Sequence, residues 1–265
     1  MEPGFDGRRA TLPIARLREC LSSDAARLRE MVASVDSGAP VPSCPGWTVA
    51  DLTGHVGGVY LHKVECMVQG VEPDAWPPEG LAEEAAKDPL GLLDRAYAAL
   101  VHEFDTRPPD TPAGGWYAPD RTVGFQIRRM AQETVIHRLD AELAAGVEPA
   151  PVPDDLAVDG IEEFLYIFVA YGTVAWLEWS REVLADTDGG GVRLVTTGGA
   201  WLVRPTPDGV QVTEDPAGEA VAEVTATPAE LLLWMWGRAG DDAVTITGDP
   251  ERIVQLRKIF TFVAQ

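Results

Sequence analysis

The chain has 265 residues, 46% hydrophobic and 24% charged, which is enough for one large or two small buried cores and excludes wholesale disorder or a fibrous repeat. Its 42 acidic against 21 basic side chains give a formal charge of -21, which repels phosphate backbones and anionic lipid head groups, so neither nucleic acid nor a membrane surface is expected as a partner. Three scattered cysteines, Cys20, Cys44 and Cys66, form neither a disulfide framework nor a Cys-x-x-Cys clip, and the first ten residues lack the basic start and apolar run of a secretory signal; a reducing, cytoplasmic setting is expected.

Ile14, Leu17, Leu21, Leu28, Met31 and Val35 fall on one face and predict a first helix. A turn-rich piece, Pro40 to Pro45, leads to a second helix start, where Thr48 can cap and Asp51 can return the bond; this helix carries Leu52, His55, Val59 and His62 towards Gly70. A proline-rich loop from Glu72 to Gly80 precedes a third helix over about Asp88 to Phe104, and a fourth over about Val123 to Ala145 ends near Gly146. Four amphipathic helices joined by loops predict a bundle.

One more helical stretch is expected from about Asp155 to Ala185. Its apolar part, Phe164 to Leu177, is shorter than the roughly 20 residues a membrane span needs and reads as a buried helix. At Asp186 to Gly191 the period changes to alternation, with strands expected at Val192 to Thr197, Trp201 to Arg204, Val210 to Thr213, Ala220 to Ala226 and Ala243 to Thr247. Thr227-Pro228-Ala229-Glu230 and Asp249-Pro250-Glu251 open two further helices. The expected fold is therefore α+β in two domains: a helical bundle over residues 1–186 and a small α+β domain over 192–265.

Among the four histidines only one pairing has clear helical geometry. Glu133 and His137 stand at i and i+4 on the fourth helix, and His55 projects from the second, which a bundle can bring opposite. Two imidazoles and a carboxylate are the three-ligand set of catalytic zinc, with the fourth position left for water or substrate. The same pattern also describes a solvated helix pair with an unrelated histidine, and spacing alone leaves both readings open. His62, seven residues beyond His55, is a pocket candidate or a plain surface or core residue; Asp140, close to one turn beyond His137, is a candidate to orient a ligand.

The words around these residues carry a resemblance. Val41-Pro42-Ser43-Cys44-Pro45-Gly46-Trp47-Thr48 through His55, Arg128-Arg129-Met130-Ala131-Gln132-Glu133-Thr134-Val135-Ile136-His137-Arg138-Leu139-Asp140-Ala141-Glu142, Asp159-Gly160-Ile161-Glu162-Glu163-Phe164 and Leu232-Leu233-Trp234-Met235-Trp236-Gly237-Arg238 together resemble the actinobacterial mycothiol-dependent maleylpyruvate isomerase-like family. The resemblance spans most of the chain. It implies a DinB-like four-helix bundle, a second domain related to sterol-carrier-like folds, and a divalent metal, usually zinc, on His55, Glu133 and His137. Where many relatives have a histidine just before the glutamate, this chain has Gln132.

The resemblance further implies mycothiol as cosubstrate, its thiolate favoured by the metal and added to an electrophile, either with bond rotation and elimination, as in an isomerase, or with retention as a thioether, as in an S-transferase. The expected partners are thus a small-molecule thiol and an electrophilic substrate, with the protein a monomer or homodimer. Arg238 is the candidate to hold a carboxylate of either substrate; its other reading is a cation closing a helix C-terminus. The open position of the metal is expected to face a cleft towards the C-terminal domain. The alternative function is a metal-binding or regulatory protein that keeps the fold without turnover.

Overall fold

The computed structural model describes residues 12–214 and 219–264. They fall into two compact units that divide between Ala150 and Pro151. Among the described residues, no single helix is long and apolar enough to cross a membrane.

The first unit is built on four long helices, α1 (Ile14–Ser34), α2 (Val49–Gln69), α4 (Pro89–Thr106) and α5 (Val123–Ala144), with a short α3 (Leu81–Lys87) ahead of α4. Helix α1 lies along α5, and α2 along α4 and α5. The apolar stripe read from the sequence is the buried one: Leu17, Leu21 and Leu28 of α1 are buried, as are Leu52 and Val56 of α2 and Leu92 and Leu100 of α4. Helix α3 occupies residues beyond the expected loop; Gly80, in the left-handed region, turns the chain into it.

Helices α2 and α5 begin with the same device. A single antiparallel bridge, Pro40 to Thr48 or Pro112 to Thr122, brings the chain back on itself, and the threonine then caps the helix. The Thr48 hydroxyl accepts from the Asp51 amide while the Asp51 carboxylate accepts from the Thr48 amide, as the sequence implied, and the Thr122 hydroxyl accepts from the Phe125 amide. Helix α2 ends at Gly70 with φ 72°, a conformation that suits glycine and turns the chain back over the bundle. The returning segment passes close to Gly114, whose amide donates to the Cys66 carbonyl at 2.7 Å.

The second unit holds a five-stranded sheet in the order β3-β2-β1-β4-β5. Strands β1 (Val192–Thr196), β2 (Gly199–Thr206) and β3 (Gly209–Glu214) form an antiparallel meander; β4 (Ala222–Thr225) runs parallel to β1 and β5 (Thr245–Gly248) antiparallel to β4. Helix α9 (Pro228–Met235), capped by Thr227 and Glu230, lies in the connection from β4 to β5, and α10 (Pro250–Val263) follows β5. The fold is the expected α+β, a helical bundle followed by a sheet domain.

Two expectations change. The helical stretch over 155–185 is not one helix: α6 (Asp154–Glu163) runs into a π-helical segment, Phe164–Tyr171, then a short α7 (Gly172–Ala175), and α8 (Leu177–Leu184) leaves at 102° after Trp176. An apolar, aromatic run has no polar face to reveal a change of helical pitch, so periodicity reads straight through it. This stretch also packs in the second unit rather than the bundle, with α6 on α9 and the π-helical segment on β3 and α10. Phe164 meets Phe260 edge-on at 5.2 Å and Trp236 at 4.8 Å. The compact units accordingly part at 150/151, ahead of the boundary that the change of period placed at 186–192, because an apolar helix belongs with whatever buries it.

A Cβ placed on Gly114 would stand 2.0 Å from the Val71 carbonyl carbon and oxygen and 2.6 Å from the Glu72 amide nitrogen. Backbone cannot swing aside as a side chain can. Gly114→Ala is expected to lower stability by about 1 to 3 kcal/mol, read as a lower urea midpoint at unchanged slope.

Candidate functional site

Residues 133, 137 and 140 of α5 recur at close to one turn and share the side of the helix that meets α2 and the Ser43–Trp47 loop. Glu133 is the hub. Its Oε1 lies 3.3 Å from His55 Nε2 and 3.2 Å from His137 Nε2, and its Oε2 accepts from Arg129 Nη2 at 2.5 Å. One donor atom from each of His55, Glu133 and His137 lies within 4.8 Å of the others.

The donor set fits a divalent metal. Ligands at about 2.0 to 2.1 Å from a tetrahedral ion stand about 3.3 Å apart, close to the two nitrogen-to-oxygen separations here. The second ring nitrogen of His137 is already committed: Nδ1 stands 2.9 Å from Asp140 Oδ2 and donates to it, so Nε2, facing the glutamate, is the nitrogen that could bind a metal once its own proton is lost. Asp140, fully buried, also accepts from the Ser43 hydroxyl at 2.5 Å and the Cys44 thiol at 3.4 Å.

The electrostatics follow from burial and partners. Burial alone would raise the Glu133 pKa, but hydrogen bonds from His137 and His55 and the nearby charges of His137 and Arg129 hold it well below the ordinary carboxylate range. Burial works against a charged His137, yet its hydrogen bonds to Asp140 and Glu133 prevail and lift its pKa to about 9. A metal bound at Nε2 must therefore displace a proton that two carboxylates favour.

Four further residues contribute. Trp47, just before the Thr48 cap, lies 4.9 Å from the His55 ring and stacks on His137 at 6.3 Å with 20° between planes. Arg129, four residues before Glu133, was legible as an i, i+4 pair but was read only as part of a motif. Ser43 and Cys44 belong to a loop whose path no local periodicity reveals. The rest of the α5 motif is structural: Arg138 donates to Asp24, Glu142 and the Ala150 carbonyl, and Arg27 donates to Glu142, tying α5 to α1 and to the turn after Gly146.

His62 shares a face with His55 but does not join this group; its Nε2 meets Glu72 at 3.1 Å and Cys66 at 3.9 Å. Gln132, the departure in the motif, is buried. Arg238 lies in the second unit, just past the left-handed Gly237 that ends α9; its amide donates to the Leu233 carbonyl at 2.8 Å and its Nη1 to the Trp236 carbonyl at 2.9 Å.

With this geometry in place, the comparisons with known proteins are specific. Residues 18–142 match the family model of the mycothiol maleylpyruvate isomerase N-terminal domain, and residues 155–255 match the C-terminal domain of the same family. The chain belongs to this family. Its fold is that of two crystal structures of mycothiol-dependent maleylpyruvate isomerase: a histidine-to-alanine mutant, 17% identical with a TM-score of 0.59, and a second structure, 18% identical with a TM-score of 0.57. Each alignment covers 90% of this chain and 95% of the other. No curated protein matches the sequence significantly. The two family matches leave 143–154 between them, and the division of the compact units at 150/151 falls inside that gap.

Asp140→Asn keeps the shape of the buried side chain but offers His137 Nδ1 a weaker, neutral partner. It is expected to weaken metal binding by about 10- to 100-fold with the helical signal unchanged, measured by competition with a chromophoric chelator.

Proposed function

We propose that this family member is an enzyme that uses mycothiol as its thiol cosubstrate, with His55, Glu133 and His137 holding a divalent metal, zinc, and with an electrophilic small molecule as second substrate. The reaction is an isomerisation of the maleylpyruvate kind or an S-transfer, carried out in the cytoplasm by a monomer or homodimer. The observation that carries the proposal is the convergence of the three donors within 4.8 Å, two from one helical turn and one from the family's opening motif.

A zinc ion there would supply a positive charge that favours the thiolate of a bound thiol at neutral pH. The chain's own residues prepare for it. Asp140 fixes the tautomer of His137, and Arg129 holds one oxygen of Glu133 so that the other faces both imidazoles. Trp47 covers the two rings with an apolar plane, which keeps their orientation and limits water on that side. Neither Cys44 nor Cys66 is needed as nucleophile, since the thiol comes with the cosubstrate; burial and Glu72 push the Cys66 thiol up to about 12. Arg238 is proposed to hold a carboxylate of the electrophile or of the thiol through its guanidinium fork.

His137→Ala separates an enzyme from a protein that merely binds metal. The variant is expected to stay helical, lose the ion at this site and lose both mycothiol-dependent isomerisation of maleylpyruvate and mycothiol consumption against a panel of electrophiles, because α5 tolerates alanine while two ligands hold the ion far more weakly than three. Turnover by a folded, metal-free variant would overturn the mechanism. Collapse of the bundle together with metal loss would assign the metal a structural role, and a metal-loaded wild type inert to every electrophile would favour the binding or regulatory reading. Arg238→Met is expected to raise KM for a carboxylated substrate by about 10- to 100-fold with a smaller change in kcat, as loss of a charged hydrogen bond predicts.

A further inference from the structure

The far end of α2 carries a second set of donors of a different kind. His62 and Cys66 stand at i and i+4, and Glu72 arrives from the segment that Gly70 turns back. His62 Nε2 lies 3.1 Å from Glu72 Oε1 and 3.9 Å from Cys66 Sγ, and Cys66 Sγ lies 3.5 Å from Glu72 Oε2. All three donors fall within 4.8 Å of one another.

We propose that His62, Cys66 and Glu72 form a second, independent metal site that takes a thiophilic divalent ion, zinc or a close analogue. Nitrogen, sulfur and oxygen ligands at about 2.0 to 2.3 Å from a tetrahedral ion stand about 3.3 to 3.6 Å apart, and the three separations bracket that range. A thiolate and a carboxylate balance the two charges of the ion, and the mixture of sulfur and imidazole donors selects zinc over magnesium or calcium. Geometry also separates this site from the first. His55 and His62 are seven residues apart on one helix, roughly 10 Å along its axis, whereas ions sharing a bridged centre lie about 3.5 to 4 Å apart.

The surroundings favour a largely buried site of three protein ligands, with the fourth position left to water. Cys66 has no side-chain exposure, Trp76 packs on the His62 ring at 5.0 Å, and Glu72 is 37% exposed. Gly114 holds the Glu72 backbone against the bundle, since its missing Cβ leaves room for Val71 and Glu72. Without metal the thiol has little nucleophilic character, because burial and Glu72 keep it protonated at neutral pH. An ion that displaces the proton would cross-link the last turns of α2 to the start of the 71–80 segment. Lys63, buried beside the cluster, is the competing cation: its pKa is lowered by burial and by Arg129 and raised by Cys66 and Glu72. If Lys63 alone balances Glu72, the three donors are only a hydrogen-bonded knot, and no metal binds.

Cobalt(II) distinguishes the two outcomes, because a thiolate ligand gives a charge-transfer band in the near ultraviolet that nitrogen and oxygen ligands do not. Metal-free full-length protein titrated with cobalt(II) is expected to take two ions per chain and to show this band. Cys66→Ser should remove the band and one ion, and Glu72→Gln should weaken the same ion by at least about tenfold. Cys44→Ser and Cys20→Ser should retain the band, and His137→Ala should lose the other ion while keeping the band. Absence of the band from the cobalt-loaded wild type, or a band that survives Cys66→Ser, would overturn the second site. Should Cys66→Ser fail to fold, the wild-type band and Glu72→Gln decide the matter. None of these readings depends on turnover, so the second site can fail while the mycothiol reading stands, and the reverse.

Discussion

The bundle is organised around the burial of polar side chains on α5. Arg128, Arg129, Gln132, Thr134, His137, Arg138, Asp140 and Glu142 are all removed from water along one helix. A buried polar group left without a partner costs about 1 to 3 kcal/mol, and a buried charge more, so each of α5's neighbours must bring something to it. Helix α1 brings Asp24 and Arg27, α2 brings Tyr60 to Thr134 and His55 to Glu133, and the 43–47 loop brings Ser43 and Cys44 to Asp140. These demands are long-range and directional. They fix the rotation of α5 about its axis more tightly than apolar packing could, and that rotation is what aims Glu133 and His137 at His55.

The same motif thus does two things with one periodicity. Positions 133, 137 and 140 give a face towards α2 that can hold an ion; positions 138 and 142 give a face towards α1 and the following turn that holds the helix in place. Substitution on the second face would be expected to disturb the site by turning the helix, without touching a ligand. The starts of α2 and α5 obey a similar economy: one antiparallel bridge and one threonine cap set where each ligand-bearing helix begins, and every later position follows at 1.5 Å per residue.

In the second unit, apolar burial decides instead. The middle of the 154–184 stretch, Phe164–Tyr171, has almost no polar face, so it joins the layer that covers it, with Phe164 among Phe260, Trp236 and Phe168. Its passage through a π-helical segment shows how far side-chain packing can override the local hydrogen-bond pattern in an apolar run. The alternation of the strands and the capping of α9 and α10, by contrast, are local features and lie where the sequence places them.

Local chemistry by itself determined the elements with a polar and an apolar side: the stripes of α1, α2, α4 and α5, the Thr48–Asp51 and Thr227–Glu230 capping boxes, and the glycine stops at Gly70 and Gly146. It also placed Glu133, His137 and Asp140 on one face, because three or four residues make about one turn, and the resemblance joined His55 to the first two. Whatever depended on contact between distant segments had no local signature. The Trp47 ring reaches the histidines only through the loop's path, and Glu72 reaches His62 and Cys66 only because Gly70 reverses the chain and Gly114 lets it pass. The 154–184 stretch joins the sheet unit for the same reason: periodicity records which side of a segment avoids water, and the tertiary structure alone decides which neighbour provides the shelter.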